Sequence, residues 1–298
     1  MIVDFHCHST ASDGTVSPAG LARRALDAGF AALALTDHDN CDGVAELRAA
    51  APRFVAGVEI SIDPGEGFDL FHLLGIGIDP GAPRLRKLLA DILEGRNGRN
   101  GRILENFSRI GIDIPPDEIA RYAHGEVLAR PHFAKWLADR GFAKSVKDGM
   151  EKYLLPDSPA QTRCYEERWR PSQEEAFAAI HEAGGLCIMA HPKFWRREWK
   201  HAGPDCEAAE KELSRLMEAG LDGVEALYQA NTPAENVAFI RLAARLGCLK
   251  SAGSDFHGGN KPSIPLGMEV SAPFIAPLLE RLGIRAQPGG YTMSMQSP

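Results

Sequence analysis

The sequence has few of the features that mark membrane, secreted or disulfide-stabilised proteins. No run of 18 apolar residues occurs among its 298 residues, so we expect no membrane-spanning helix. Met1 leads directly into an apolar segment without the basic and hydrophobic regions of a signal peptide, and we expect no secretory leader. The six cysteines include no C-x-x-C pair, which favours reduced thiols in a cytoplasmic protein over a disulfide framework or a zinc ribbon.

An excess of positive charge is also absent. The chain carries 33 Lys and Arg against 40 Asp and Glu, a formal net charge of −7. This balance argues against specific DNA binding, although it leaves room for a local basic pocket. Hydrophobic residues make up 44% and charged residues 24%, as in ordinary soluble globular proteins. The length suits one large α/β domain or a domain with an insertion.

The first thirteen residues, MIVDFHCHSTASD, contain the elements of a metal site. Successive side chains of a strand point to opposite faces, so His6 and His8 project together while Cys7 faces away. Asp13 follows in the next loop. Two imidazoles beside a carboxylate are typical ligands of a divalent metal, but an H-x-H pair alone equally fits a chance surface or core pair.

Five further apolar segments, each predicted to be a strand, contain or precede a residue able to bind a metal. The pairs are Ala31–Thr36 with His38, Phe54–Ser61 with Glu59, Phe71–Ile78 with His72, Leu186–Ala190 with His191, and Cys248–Ala252 with Asp255 and His257. Helical patterns separate most of them, which predicts a mostly parallel sheet or barrel. Side chains at the carboxyl edge of such a sheet lie close together, so the sequence predicts a multinuclear metal centre.

Residues 81–164 differ from the rest of the chain because no strand pattern occurs among their helical patterns. We therefore predict a barrel domain formed by residues 1–80 and 165–298, with a helical insertion or cap domain at 81–164.

The ordered series H-x-H, D-H-D, E, H, H-P and G-S-D-x-H covers nearly the whole chain and resembles the polymerase and histidinol phosphatase (PHP) superfamily of metal-dependent phosphoesterases. The resemblance implies a distorted (β/α)7 barrel with three divalent metal ions, commonly Mn²⁺, while Zn²⁺ and Fe²⁺ also suit mixed imidazole and carboxylate ligands. It implies three ligand groups, which are His6, His8, Glu59 and Asp255 for the first metal, Glu59, His72 and His191 for the second, and Asp13, His38 and His257 for the third.

The resemblance also implies a mechanism, in which hydroxide activated between the metals attacks phosphorus. Glu59, His38 and His257 are the residues expected to serve this chemistry most directly. Asp37 and Asp39 are expected to hydrogen-bond to imidazoles or to cap the following helix rather than to bind metal.

The insertion resembles the subgroup of nucleoside 3′,5′-bisphosphate phosphatases and RNase AM-like exonucleases. The resemblance implies that Arg96, Arg99, Arg130 and His132 bind substrate phosphate, although Gly98 stands where that subgroup has an arginine. It implies hydrolysis of a 3′,5′-bisphosphate to a 5′-monophosphate, and trimming of short 5′-phosphorylated RNA from its 5′ end. Alternatives are an AMP or histidinol phosphate phosphatase, an amidohydrolase-type enzyme, and a non-catalytic metal-binding module.

Overall fold

The chain forms one eight-stranded sheet, seven strands of which make up a barrel. The computed structural model describes residues 1–51, 54–63, 65, 71–123, 127–195, 207–287 and 290–293. The strands are β1 (Ile2–Cys7), β2 (Ala32–Leu35), β3 (Val55–Ile62), β4 (Phe71–Ile76), β5 (Leu186–Met189), β6 (Gly223–Tyr228), β7 (Leu249–Gly253) and β8 (Met268–Glu269). Their order in the sheet is β7-β6-β5-β4-β3-β2-β1-β8, and β8 pairs antiparallel with the first residues of β1.

Backbone hydrogen bonds beyond the ends of β1 and β7 close the barrel. The Asp255 N–H donates to the His6 carbonyl over 2.8 Å, and the His8 N–H donates to the Phe256 carbonyl over 2.9 Å. These bonds join the first and last of seven strands, so the predicted distorted (β/α)7 barrel is confirmed. They also bring the two segments with the densest metal-ligand pattern side by side.

The direction of β4 explains how His72 reaches the carboxyl edge. Strands β1–β3 run parallel, as do β5–β7, but β4 is antiparallel to both of its neighbours. Its beginning therefore lies where the other strands end. His72, its second residue, pairs with Ser61 near the end of β3.

Helices pack around the sheet. They are α1 (Pro18–Asp27), α2 (Gly43–Ala50), α7 (Gln173–Glu182), α8 (Glu207–Ala219), α9 (Pro233–Leu246) and α10 (Ala272–Arg281). Val3 and Phe5 of β1 share an apolar cluster with Ile275 of α10. Because side chains alternate along a strand, His6, which follows Phe5, faces the other way, into the barrel.

The insertion has an apolar core of its own. Its elements are α3 (Pro83–Arg109), α4 (Pro116–Ala120), α5 (Arg130–Asp139), α6 (Val146–Gly149) and a π-helical turn at Met150–Leu154. One apolar cluster draws only on residues between 103 and 164, including Phe107 and Phe133. The first half of α3 packs instead on the barrel through Leu85 and Ile92. Helix α3 is thus shared, and the domain boundaries at 81 and 164 stay a prediction.

The C-terminal part contains elements that the sequence pattern did not predict. Helix α10 runs from Ala272 to Arg281. Strands β9 (Ile284–Gln287) and β10 (Gly290–Met293) then form a separate antiparallel pair. Among the described residues, no helix is both long and apolar enough to cross a membrane.

Candidate metal centre

Glu59 of β3 is the central residue of the site. It is completely buried, and both of its carboxylate oxygens face imidazole nitrogens. Oε2 lies 2.9 Å from His38 Nδ1, 3.2 Å from His8 Nε2 and 3.3 Å from His6 Nε2. Oε1 lies 2.8 Å from His72 Nδ1 and 3.1 Å from His191 Nε2. This carboxylate therefore connects the first and second ligand groups, as expected of a bridging ligand.

Asp255 completes the first group. Its Oδ1 lies 3.7 Å from His6 Nε2 and 3.4 Å from His8 Nε2. The strand pairing that closes the barrel accounts for this contact, because it places the residues after β7 beside those of β1. All four residues predicted for the first metal are brought together.

Asp13 is the carboxylate of the third group. Its Oδ1 lies 3.2 Å from His257 Nε2, and its Oδ2 lies 3.9 Å from His38 Nε2. His8 Nδ1 is also 3.9 Å from Asp13 Oδ1, so His8 faces the first group with one nitrogen and the third with the other. His38 likewise faces Glu59 and Asp13 through different nitrogens. The three groups overlap more than the sequence predicted.

The buried donor atoms of the centre fit divalent cations. His6 Nε2, both ring nitrogens of His8, His38 Nδ1 and Glu59 Oε2 are buried and have no hydrogen-bond partner. Leaving such atoms unsatisfied is costly, and native proteins rarely do so. Metal coordination satisfies lone pairs of imidazole and carboxylate, and this mixture of donors suits Mn²⁺, Zn²⁺ or Fe²⁺.

The carboxylates of the centre are held ionised. Burial alone raises the pKa of Glu59, but the neighbouring His38 and His6 outweigh it, and the pKa falls well below its usual range. The same balance of burial against imidazoles holds the pKa of Asp13 and of Asp255 well below normal. The centre thus offers three negative charges to a cation.

Two histidines of the centre, His72 and His8, have pKa values shifted in opposite directions. Burial lowers the pKa of His72 to about 4, against the opposing effect of Glu59, so this imidazole is neutral and ready to bind a cation. Burial also acts to lower the pKa of His8, but Asp255 and Glu59 raise it to about 9. His8 therefore holds a proton at neutral pH until a cation displaces it.

Glu225 supports the centre and was not found by sequence analysis. It lies in β6, completely buried, with Oε1 3.0 Å from His6 Nδ1. Its Oε2 accepts a hydrogen bond from the His191 backbone N–H over 2.6 Å. A Cβ on Gly253 would lie 2.1 Å from Glu225 Oε1, so only glycine permits this approach. The contact directs His6 Nε2 toward Glu59. The sequence signal that could have identified Glu225 is a single acidic residue within the apolar strand GVEALY.

Asp255 is positioned by two further side chains that sequence analysis missed. Tyr228 donates its hydroxyl to Asp255 Oδ2 over 2.9 Å, and Lys261 Nζ lies 2.6 Å from the same oxygen. With Oδ2 held from this side, Oδ1 faces His6 and His8.

Backbone strain is concentrated at the same edge. Among the described residues, Asp39, His191 and Asp255 are the non-glycine residues with positive φ, at 53°, 27° and 58°. Each follows a strand of the barrel or lies at the metal centre. Such conformations are unfavourable for L-residues and are typical of functional sites.

The carboxylates beside His38 contact other groups than we expected. Asp37 accepts hydrogen bonds from the backbone and hydroxyl of Ser9 and from the Ser12 hydroxyl, over 2.6–2.7 Å. Asp39 pairs with the guanidinium groups of Arg96 and Arg168 instead of an imidazole. One aspartate therefore holds the loop after β1, and the other connects the centre to a group of arginines.

This arginine cluster consists of Arg96, Arg99, Arg130, Arg168 and Arg170. Arg168 Nη2 lies 2.8 Å from Asp39 Oδ2, which Arg96 also contacts. Arg99 is buried, and its Nη2 has no hydrogen-bond partner. Burial, followed by the charges of Arg96 and Arg130, lowers the pKa of Arg99 to about 8. Arg170 pairs with Glu167 over 2.9 Å, so Asp39 and Glu167 together neutralise only part of the positive charge of the five arginines.

The four predicted phosphate-binding residues lie in or near this cluster. Arg130 lies over the Tyr165 ring at 5.2 Å, and His132 Nδ1 accepts the Ala129 N–H at the start of α5. Arg168 and Arg170 were missed because they belong to a loop distant in sequence. A Cβ on Gly95 would lie 3.3 Å from the Trp169 carbonyl, so this glycine lets the loop approach α3.

Two cavities border the centre. The insertion cavity, of about 520 Å³, lies between Asp13, His38 and His257 on the barrel and Tyr122, Pro131 and His132 on the insertion. The aromatic cavity, of about 640 Å³, lies between Glu59, His72 and His191 on one side and Phe194 and Tyr228 on the other. His38, Asn260 and Lys261 line both.

Comparison with known proteins agrees with this geometry. The PHP domain pattern matches residues 4–100. A 3′,5′-nucleoside bisphosphate phosphatase of Chromobacterium violaceum is 33% identical over 95% of this chain and 97% of its own length. The chain belongs to the PHP family. The predicted family of metal-dependent phosphoesterases is thereby confirmed, and the non-catalytic alternative is set aside.

Other relatives cover most of the chain as well. The 5′-3′ exoribonuclease Rnm of Escherichia coli is 30% identical over 90% of this chain and 92% of its own. A solved Chromobacterium violaceum structure, described as an amidohydrolase with bound sulfate and no metal, has a TM-score of 0.79 at 32% identity and covers 94% and 95% of the two chains. A solved Bifidobacterium adolescentis structure, described as a metal-dependent phosphoesterase by assignment only, has a TM-score of 0.76 at 27% identity and covers 94% and 96% of the two chains.

Proposed function

We propose that this PHP protein removes the 3′-phosphate from nucleoside 3′,5′-bisphosphates and also trims short RNA that carries a 5′-phosphate. The observation that carries the proposal is the buried, under-neutralised arginine cluster next to a centre of nine metal-ligand residues. A substrate with two phosphates a nucleoside apart satisfies both sites at once. Inorganic phosphate or histidinol phosphate satisfies only one.

The residues present fit three divalent ions, most simply manganese. The first would be held by His6, His8, Glu59 and Asp255, the second by Glu59, His72 and His191, and the third by Asp13, His38 and His257. Such ions supply activated water and neutralise phosphate oxygens. The protein's own side chains fix this geometry, since Glu225 orients His6 while Tyr228 and Lys261 orient Asp255.

In the proposed reaction, a water oxygen bonds to the phosphorus of the 3′-phosphate and the bond from phosphorus to O3′ breaks. The departing O3′ takes up a proton, giving a free 3′-hydroxyl and inorganic phosphate. His38 and His257 line the insertion cavity, where the nucleoside lies, and we assign them to the leaving-group side. Glu59 lies between the ligand groups and holds the centre together.

The second phosphate is assigned to the arginine cluster. Arg99 offers a buried Nη2 without a partner, and guanidinium groups bind phosphate in bidentate fashion. Gly98 stands where the bisphosphate phosphatase subgroup has an arginine, but Arg168 and Arg170 add positive charge from another loop. Asp39 already holds one edge of Arg96, so we assign Arg99 and Arg130 the more direct contacts.

The test is manganese-dependent phosphate release from adenosine 3′,5′-bisphosphate, compared with AMP and histidinol phosphate. We expect the bisphosphate to be preferred and AMP to be its product. Arg99→Gln should raise KM for the bisphosphate about tenfold or more, because a charged hydrogen bond is lost. Arg109→Gln is the matched control, since Arg109 lies on the same helix with its side chain 71% exposed.

Equal turnover of AMP and the bisphosphate, or equal effects of the two arginine variants, would contradict the assignment of the second phosphate.

We also assign the protein to the cytoplasm. This is supported by the unpaired state of Cys7, Cys41, Cys164, Cys187 and Cys248, while Cys206 lies outside the described residues.

A further inference from the structure

The two cavities make different demands on a substrate. His132 and Pro131, at the start of α5, line the insertion cavity, so a nucleoside there lies between the metal centre and the insertion. A 3′,5′-bisphosphate has nothing beyond its 3′-phosphate, and it leaves the aromatic cavity unused. A phosphodiester carries a second nucleoside on the other side of the same phosphorus.

The aromatic cavity has the composition of a base-stacking site. Phe194 is partly exposed, and its ring meets the His191 imidazole edge-on with centroids 5.5 Å apart. The Tyr228 ring lies 6.2 Å from Phe194. Lys193 Nζ lies 5.3 Å from the Phe194 centroid and donates to the Ala230 carbonyl over 2.7 Å. Aromatic rings beside cations stack nucleobases without sequence preference.

The aromatic cavity and the insertion cavity border different ligand groups of the metal centre. Phe194 contacts His191, a predicted ligand of the second metal, while the insertion cavity borders the third ligand group. Lys261 lines both cavities and contacts Asp255, which lines the aromatic cavity. A phosphate at the centre therefore borders both cavities.

We infer that the aromatic cavity binds the second nucleotide of a 5′-phosphorylated RNA, with its base stacked on Phe194. The inference rests on the proposed function, because it needs the first nucleotide's 5′-phosphate in the arginine cluster. The volume of the aromatic cavity, about 640 Å³, is within the range of small-molecule sites. The aromatic cavity is therefore occupied during RNA trimming but not during bisphosphate hydrolysis, although both reactions use the same metal centre.

The reaction on RNA uses the same bond changes. A water oxygen bonds to the phosphorus between the first two nucleotides, and the bond to O3′ of the first breaks. O3′ takes up a proton, and the first nucleotide leaves with its 5′-phosphate and a free 3′-hydroxyl. The phosphate stays on O5′ of the second nucleotide, so the shortened RNA again has a 5′-phosphate.

The experiment compares kcat/KM of Phe194→Ala on a 5′-phosphorylated RNA trinucleotide and on adenosine 3′,5′-bisphosphate, with metal-loaded full-length protein. We expect the ratio of RNA to bisphosphate activity to fall about tenfold, the effect of losing one base stack. Phe194→Trp should keep the ratio. Phe142→Ala is the matched control, because Phe142 is 39% exposed on the insertion, stacked on Trp136.

A second arm changes the substrate. An RNA that lacks the base of its second nucleotide should lose about the same factor with the native protein, and Phe194→Ala should lose nothing further. Equal losses of Phe194→Ala on RNA and bisphosphate would overturn the inference, since the ring would then act through His191. Bisphosphate hydrolysis without RNA cleavage would overturn the inference and the RNA-trimming part of the proposed function, and would leave the bisphosphatase part standing. Absence of both activities would overturn both.

Discussion

Glu225 illustrates how a residue without a direct role in binding substrate determines the metal centre. It contacts His6 through one carboxylate oxygen and the His191 backbone through the other, so a single buried acid positions ligands of two groups. The acid is completely buried in the apolar strand β6. Its function depends on charge, since Glu225 is a main cause of the raised pKa of His6.

Glu225→Gln should lower manganese affinity about 10- to 100-fold, the usual effect of losing a group that orients a metal ligand. The amide still occupies the space but carries no charge and accepts through one atom only. Isothermal titration of metal-free protein with Mn²⁺ measures the change. Glu269→Gln, an exposed position on β8, serves as control, and equal affinities of the two variants would contradict the role.

Metal binding should release protons at neutral pH. The pKa of His8 in the metal-free protein is about 9, because Asp255 and Glu59 outweigh the effect of burial, so His8 is protonated at pH 7. A cation binds only the neutral imidazole, and manganese affinity should therefore rise with pH until about pH 9. Titration at pH 7 in two buffers of different ionisation enthalpy measures this release. Identical heats in both buffers would argue against His8 as a ligand.

Helix α3 connects the barrel, the insertion and the arginine cluster. It continues through the segment GRNGRNGR although each glycine in a helix costs about 1 kcal/mol relative to alanine. Gly95 lies against the Trp169 carbonyl, whereas a Cβ on Gly101 would meet no atom within 4 Å. Gly95 therefore allows the loop that contains Trp169 to approach α3, whereas no neighbouring atom requires glycine at Gly101.

Gly101→Ala should raise the free energy of unfolding by about 0.5–1 kcal/mol without changing kinetics, because it improves helix propensity in open space. Gly95→Ala gains the same propensity but presses on the loop that carries Arg168 and Arg170. We expect a smaller gain in stability and a higher KM for the bisphosphate. Urea denaturation and steady-state kinetics test the pair, and identical behaviour of the two variants would contradict this account of Gly95.

At the scale of the whole molecule, the metal ligands act as cross-links between distant parts of the chain. They come from β1, β3 and β4 and from the loops after β1, β2, β5 and β7, so bound ions would join nearly the entire circumference of the barrel. Binding to the folded state alone stabilises it, by about 4 kcal/mol when the ligand exceeds its dissociation constant a thousandfold.

Removal of metal with EDTA should therefore lower Tm by several degrees, and added Mn²⁺ should restore it. Tm should fall because the folded protein loses the cations that bind its ionised carboxylates and imidazoles. Differential scanning calorimetry measures the shift. Glu59→Gln, which removes the charge that connects two ligand groups, should show a much smaller response to EDTA. An undiminished response in that variant would contradict the central role of Glu59.

The sequence by itself determined the local arrangement of strands, helices and ligand residues. Alternation placed His6 and His8 on one face of β1, and helical patterns indicated the helices that separate most of the strands. The series of ligand motifs indicated the PHP barrel, because the carboxyl ends of neighbouring strands meet at one edge. These properties depend on residues close together in the chain, or on their order along it.

Only the tertiary structure decided which distant side chains support the site. Glu225 lies 219 positions from His6, and Arg168 lies 129 positions from Asp39. The antiparallel direction of β4, which brings His72 to the carboxyl edge, also depends on its neighbours in the sheet. No periodicity in the sequence encodes such pairings. They arise because closing the barrel and docking α3 bury charges that must find partners.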